Sequence, residues 1–379
     1  MSARERLETL LARCAELGAS DLHLAAGEPV AFRRDGDLSF EGTPLAAEEV
    51  TSVSCSPLND LQRAKLESEG SVDLALESRS VRYRLNVFKQ RGGIALAARR
   101  FEDRIRSLEE LNLPRALESL TELRDGLVLV TGPVGSGKTT TLATMIHTIY
   151  ARRPCHVLTI EDPVEYLHRG GAGIIRQREV HVDVPSFATG LRAALREDPD
   201  VILIGELRDA DTVRAAIMAA ETGHLVYSTL HCGDAVGAID RLVGALPSEE
   251  QGPVRVQLSM VLRAVIAQRL LKRADGPGRV PAVELLLATT AVANLIRTSR
   301  PQAIYTAIET GAAQGMQTLE QSLAELVAKG LVRIEDARRL ARDEKALEDR
   351  ARALRGRGES EGRSPSRGDR GISPGSGRP

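Results

Sequence analysis

"TGPVGSGKTTT", residues 131–141, decides how the rest of this chain is read. It holds Gly132-Pro133-Val134-Gly135-Ser136-Gly137-Lys138-Thr139-Thr140, a G-x-x-x-x-G-K-T pattern. The apolar run "GLVLV" precedes it and the helix-forming run "TTLATMIHTIY" follows. Strand, glycine-rich turn and helix in that order are the context a phosphate-binding loop requires. Glycines let successive backbone N–H groups curl around phosphate oxygens, and the helix amino terminus adds a favourable dipole. Lys138 is expected to neutralise β- and γ-phosphate charge, and Thr139 to offer its hydroxyl to Mg²⁺. The expected ligand is a nucleoside triphosphate.

Working outward, short continuous apolar runs alternate with helical stretches: "GLVLVTG", "HVLTI", "DVILIG" and "HLVYSTL". Runs of this kind belong to strands buried on both faces of a mostly parallel sheet, so this part of the chain reads as an α/β core. Carboxylates at the carboxyl ends of such strands face the ligand crevice. "HVLTI" ends in Glu161-Asp162-Pro163-Val164-Glu165, and Glu161 is the candidate general base. "DVILIG" ends in Glu206, just before Arg208-Asp209, and Glu206 is assigned to Mg²⁺ through its waters. The two roles could be exchanged. "GHLVYSTLH" then places His224 at the amino end of a further strand and His231 at or just past its carboxyl end. They stand about 20 Å apart along an extended run, so they cannot share one metal. His231 is expected on the nucleotide side, His224 in a structural or interface position, and zinc at neither.

The bulk numbers narrow the field. The chain has 379 residues, 42% of them hydrophobic and 27% charged, with a net charge of −1, as in an ordinary globular protein of two or three domains. Near-neutral charge, 3% aromatics and no tryptophan argue against nucleic acid as a partner. Four scattered cysteines (14, 55, 155 and 232) suit a reducing compartment. The amino terminus lacks a signal-peptide core, and no run reaches the roughly 18 apolar residues of a membrane span. The expected location is cytoplasmic, with any membrane role exercised through partners.

The expected organisation is a small α+β domain over 1–100, a charged linker over 101–115, the α/β core over 116–272, a helical domain over 273–345 and a disordered tail over 346–379. Within the first unit, residues 4–17 read as an amphipathic helix. A turn is expected at Asp35-Gly36, and two strands are expected to meet around Gly92-Gly93.

Taken in order, "GPVGSGKTT", "LTIEDPVEY", "REVHVD", "ALREDPDVILIGELRD" and "AAETGHLVYSTLH" resemble the secretion ATPases of type II secretion and type IV pili, from about residue 18 to 345. The resemblance implies a RecA-like P-loop ATPase core after a PAS-like domain and before a helical one. It also implies ATP bound between the first two units, a homo-hexameric ring and an inner-membrane pilus platform protein as partner. "ASDLHLAAGEPVAFRRDGDL" and "GMQTLEQSLAELVAKGLV" resemble the pilus-retraction branch, which drives twitching motility. The chain also lacks the extra amino-terminal domain and tetracysteine zinc insert expected of the extension and secretion branch. One segment departs from the pattern. Where that branch carries an "AIRxLIRE"-type helix, this chain has "AVANLIRT", with Ala293 for an arginine and Thr298 for an acid; Arg297 remains. The departure leaves an accessory retraction paralogue, or an extension or secretion ATPase, as alternatives.

The family's logic also places arginines of the first domain near the phosphates. Arg82, Arg84, Arg91 and Arg99 are available, and Arg82 and Arg84 share one strand face. A well-placed arginine is worth about 10³–10⁵ in rate. Arg192 and Arg196 lie four apart on one helix face, open between nucleotide contacts and pairing with Asp198 or Asp200.

Overall fold

The computed structural model describes residues 1–34, 37–101 and 104–361. The amino-terminal unit comprises helices α1 (Ala3–Glu16), α2 (Ala47–Cys55) and α3 (Asp60–Glu69). Its strands are β1 (Asp21–Leu24), β2 (Val30–Arg34), β3 (Asp37–Glu41), β4 (Ser71–Ser78), β5 (Val81–Gln90) and β6 (Gly93–Arg100). The strands form one antiparallel sheet in the order β3-β2-β1-β6-β5-β4. Leu7, Leu11, Phe32, Val50, Leu66, Tyr83 and Leu85 close its core. Alternation along β5 buries Tyr83, Leu85 and Val87 and turns Arg82 and Arg84 to the opposite face. Arg84 sits directly across from Arg99 of β6. The expected turn at Asp35-Gly36 lies outside the described residues.

The second unit follows α4 (Ala116–Thr121). It runs β7 (Gly126–Thr131), α5 (Lys138–Arg152), β8 (His156–Glu161), β9 (Ile174–Glu179), α6 (Phe187–Ala194) and β10 (Val201–Ile204). It continues with α7 (Ala210–Glu221), β11 (Leu225–Leu230), α8 (Ala235–Gly244), α9 (Ser248–Val261), β12 (Leu262–Lys272) and β13 (Arg279–Leu287). The sheet order is β13-β12-β7-β11-β10-β8-β9, all neighbours parallel except β13 on β12. The apolar runs have the cause expected of them. Leu127 and Leu129 of β7 enter the core on one side of the sheet, whereas Val128 and Val130 join Met145, Ile146 and Ile149 of α5 on the other. Both faces are covered, so the strand carries apolar side chains from Leu127 to Val130 and a polar one only at its end, Thr131.

Three boundaries differ from the sequence reading. The sheet does not stop at 272: β13 pairs with β12 from Lys272↔Arg279 to Ala264↔Leu287, so the helical unit begins later than 273. The Ala/Leu/Glu composition there reads as helix, but "RVPAVELLL" is buried on both sides and needs no helical period. The stretch 101–115 is not a free connector, because Leu108 and Leu113 are buried in the α5-side core. The expected tail also starts too early. After α10 (Thr290–Arg297), α11 (Pro301–Thr310), a 3₁₀ turn at Gly311–Gln314, α12 (Leu319–Ala328) and α13 (Ile334–Arg338), helix α14 spans Glu344–Glu361. Leu347 and Ala351, four apart on one face, bury beside Leu323 and Val327 of α12. The remainder of the expected tail, 362–379, lies outside the described residues. No described helix is long and apolar enough to cross a membrane.

Leu347 is fully buried. Leu347→Ala should therefore cost about 2–5 kcal/mol. Calorimetric unfolding should show it as a lowered Tm, whereas an unstructured segment would leave Tm unchanged.

Candidate functional site

Four adjacent parallel strands deliver the site. In spatial order, β7 ends in the glycine-rich loop, β11 in His231, β10 in Gly205-Glu206 and β8 in Glu161. Neighbouring strands lie about 4.8 Å apart, so the carboxyl edge of the sheet lines up a cation, an imidazole and two carboxylates. Gly132, Gly135 and Gly137 all have positive φ. A Cβ at Gly132 would stand 2.4 Å from the Gln268 carbonyl, and one at Gly137 2.8 Å from Gln268 Nε2. Gln268 of β12 is the prop beneath the loop: its Nε2 donates to the Ser136 carbonyl at 2.7 Å and its Oε1 accepts from Thr141 Oγ1 at 2.8 Å.

Lys138 opens α5 and is buried, its Nζ donating at 3.0 Å to the carbonyls of Gly132 and Pro133. Burial lowers its pKa, and the charges of Glu206 and Glu165 act against that. Lys138 Nζ also lies 3.4 Å from His231 Nδ1, while His231 Nε2 lies 3.3 Å from Glu206 Oε1. An ammonium only donates, so Nδ1 accepts and the ring proton sits on Nε2, facing Glu206. Glu206 Oε2 accepts from a cation, Arg208 Nε, at 2.7 Å. Glu161 is buried and accepts from Thr159 Oγ1 at 2.7 Å and Gln177 Nε2 at 3.4 Å. Burial pushes its carboxyl up to about 7, against those two hydrogen bonds.

Two cavities meet at the loop. One of about 340 Å³ is lined by Val134, Gly135, Lys138, Thr139, Glu161, Glu206 and His231, with Arg84 reaching in from the first unit. The other, about 750 Å³, is lined by residues 135–141 together with Arg106, Arg273 and Arg279. The expected residues thus converge, with Arg82 as an exception. Its guanidinium is held at the junction of the units, donating to the Val164 carbonyl at 2.5 Å and to Glu179 Oε2 at 2.7 Å. Of the two arginines on that face, Arg84 is the one that lines the cavity with Glu161 and Glu206, its Nε donating to Asp73 Oδ1 at 3.1 Å. Arg99 pairs with Asp21 at 2.8 Å, and Arg91 sits at the β5–β6 turn. Arg192 and Arg196 stand exposed on and just after α6, and Asp198 and Asp200 are engaged with His156 instead. His224 Nδ1 lies 3.0 Å from the Ala219 carbonyl at the end of α7, a structural position away from the loop.

Sequence reasoning passed over three contributors. Glu165 hydrogen-bonds the Thr139 hydroxyl, and burial raises its pKa. Tyr166 Oη meets Thr140 Oγ1 at 3.0 Å, so consecutive residues after the acidic box hold the two P-loop threonines. Gln268 carried the one readable signal, a lone uncharged polar residue inside the apolar run "LRAVIAQRLLK".

The model of the family described as "Type II/IV secretion system protein" matches residues 3–362. The chain belongs to the type II/IV secretion system protein family. Among curated members of that family, the type IV pilus retractation ATPase PilT of Pseudomonas aeruginosa is 45% identical over 335 residues, covering 88% of this chain and 97% of that protein. The twitching motility protein of Neisseria gonorrhoeae is 46% identical over 318 residues, covering 83% of this chain and 85% of that one. A crystal structure of the pilus retraction motor PilT with bound ADP superposes with a TM-score of 0.83 at 44% identity, covering 90% of this chain and 98% of that one.

Two predictions follow from this geometry. Gln268→Ala removes both supports of the loop, so ATP affinity measured by titration calorimetry should fall about tenfold, equivalent to the loss of one or two buried hydrogen bonds. The second concerns Glu161, whose folded pKa of about 7 stands above the ordinary value of 4.5. The native state therefore binds this proton more tightly than the unfolded chain. The associated stability is present in full below the unfolded value and is lost as pH rises through about 7. Glu161→Gln should gain Tm relative to wild type on going from pH 5 to pH 8, and a pH-independent difference would contradict the assignment.

Proposed function

We propose that this chain is an ATP-hydrolysing motor that drives type IV pilus retraction, and hence twitching motility. One observation carries the reading: the buried Lys138 of an intact P-loop is chained through His231 to Glu206, in a chain 45% identical to a pilus retraction ATPase along nearly its whole length. The expected reaction is attack of water on the γ-phosphate of ATP. Lys138 and the amides at the start of α5 hold the β- and γ-phosphates, and Arg84 adds positive charge from the first unit. Glu161, with a pKa near the working pH in a dry pocket, is suited to accept the water's proton. His231, donating through Nε2, fixes Glu206 beside the phosphate site.

The donor set also fits Mg²⁺. Thr139 and Glu206 offer hard oxygen ligands, directly and through water, and among the described residues no three His, Cys, Asp or Glu side chains form a cage. That suits an ion held mainly by nucleotide phosphates and water. Mg²⁺ would supply charge neutralisation of the phosphates. We further read the first unit as a PAS-like domain, the residues after β13 as a helical domain, and the working form as a homo-hexamer. The ring would be cytoplasmic and held at the inner membrane by the pilus platform protein.

A second reading, an accessory retraction paralogue or an extension or secretion ATPase, is favoured by one observation. On α10 the partly exposed Ala293 and the exposed Thr298 stand where the retraction branch has an arginine and an acid. Arg297 there is exposed and bonded only locally, to Asn294 at 2.7 Å.

The purified chain should hydrolyse ATP in Mg²⁺. Lys138→Ala should abolish turnover, and Glu206→Gln and Glu161→Gln should each lower kcat by about 10²–10⁴ with a smaller change in KM. Cells lacking the gene should carry excess surface pili. Bald cells would assign the motor to extension, and an unchanged pilus count would favour the accessory or secretion reading.

A further inference from the structure

His231 leaves β11 and is followed by only Cys232, Gly233 and Asp234 before α8 begins. What holds the amino end of α8 therefore also holds His231. Asp234 caps the helix, its Oδ1 accepting from the Gly237 N–H at 2.7 Å. The next N–H, of Ala235, donates at 2.8 Å to Glu284 Oε1 on β13, and Glu284 is 2% exposed. The second oxygen of Asp234 lies 2.9 Å from Arg342 Nη2.

Arg342 belongs to the connection between α13 and α14, more than 100 residues from His231 in sequence. Its guanidinium lies over the Tyr305 ring, 5.2 Å from the centroid, and its backbone N–H donates to Glu320 Oε1 at 2.9 Å. Glu320 is buried and accepts from Tyr305 Oη at 3.2 Å. Asp234 thus pairs with the guanidinium directly, Glu320 holds the Arg342 backbone, and Glu284 feels the charge of Arg342 across the same cluster. Burial raises the pKa of Glu284, Asp234 and Glu320 push it the same way, and Ala235 N–H and Arg342 oppose them. Without that cation the carboxylates would repel one another in a low-dielectric setting and move apart.

We propose that Arg342 is a positioning residue for hydrolysis: through Asp234 and Glu284 it fixes the amino end of α8, and with it the short loop that aims His231 at Lys138 and Glu206. The geometry makes the site sensitive to this support. The two contacts of His231, 3.3 and 3.4 Å, already lie at the long end of hydrogen bonding, so a small shift of the loop breaks them. The loop is tied to β7 where Thr131 Oγ1 accepts from Cys232 N–H at 3.0 Å, and to α8 itself where Arg241 Nη1 donates to the His231 carbonyl at 3.2 Å, so a shift of α8 acts on His231 directly. Displacement of the α12–α14 segment would therefore be felt at the phosphate-side histidine.

This inference rests on the reading of the chain as an ATPase. The test measures kcat and KM for ATP, with Tm, on the full chain as wild type, Arg342→Ala, Arg342→Lys and Asp234→Asn, with Lys138→Ala as the reference. Arg342→Ala should lower kcat about tenfold to 10²-fold, the upper figure being the cost of a misplacement of about 1 Å, with KM nearly unchanged and Tm lowered by the unneutralised carboxylates. Arg342→Lys should restore part of kcat, since it returns the charge without the planar fork. In a His231→Ala background the Arg342→Ala effect should vanish, because a residue acting through His231 has nothing left to act on. A wild-type kcat in Arg342→Ala, or an undiminished loss in the His231→Ala background, overturns the proposal. If Arg342→Ala fails to fold, Asp234→Asn must show the same kcat loss and the same dependence on His231, or the proposal falls. Absence of Lys138-dependent hydrolysis in the wild type would instead overturn the ATPase reading.

Discussion

The site depends on one constraint: β7, β11, β10 and β8 run parallel and side by side. Parallel pairing brings all four carboxyl ends to one edge, and the order of strands sets the order of groups. The phosphate loop comes first, then His231, then Glu206, then Glu161. Sequence order is different, because β8 precedes β10 and β11 in the chain. The helices cover both faces, so the strands are mostly apolar, and their few hydroxyls, Thr159, Ser228 and Thr229, are buried and hydrogen-bonded. Catalytic chemistry begins where burial of the backbone stops.

The polar residues at that edge depend on each other. Lys138 is buried, and carboxylates within reach offset the cost of keeping its charge. Glu206 is held by Arg208 and His231 together, so removing Arg208 would leave a partly desolvated carboxylate short of a cation, and removing His231 would leave it short of a donor. Glu161 has no such cation in contact; burial raises its pKa, and its two neutral donors offset that only in part. Two carboxylates three strand positions or fewer from the loop therefore sit in different surroundings, one ion-paired and the other buried among neutral donors.

The two flanking units reach the site by different means. The amino-terminal sheet presents an arginine-bearing face, tied to the second unit by Arg82 on Glu179 and Val164 and by Arg169 on Glu77 at 2.8 Å. The carboxyl-terminal helices meet the segment after His231 at Asp234. Their link runs through Arg342, Asp234 and Glu284 to the start of α8. In a motor, such links are where movement of one unit could alter chemistry in another.

The sequence by itself determined the phosphate loop, the α/β class of the core, both carboxylates and the nucleotide-side position of His231. Each of these is local: a turn that needs glycines, a strand that must be apolar on both faces, a residue at a strand end. It also determined that Arg82 and Arg84 share a face, since strand parity is local too. The tertiary structure decided that Arg84 and not Arg82 lines the cavity of Glu161 and Glu206, because Glu179, 97 residues from Arg82 in sequence, claims the Arg82 guanidinium. It decided that Gln268 supports the loop, that Glu165 and Tyr166 hold Thr139 and Thr140, and that β13 joins the sheet where composition suggested helix. Those are pairings across long separations in the chain. Residue type limits what each partner can do, and only packing settles which partner it finds.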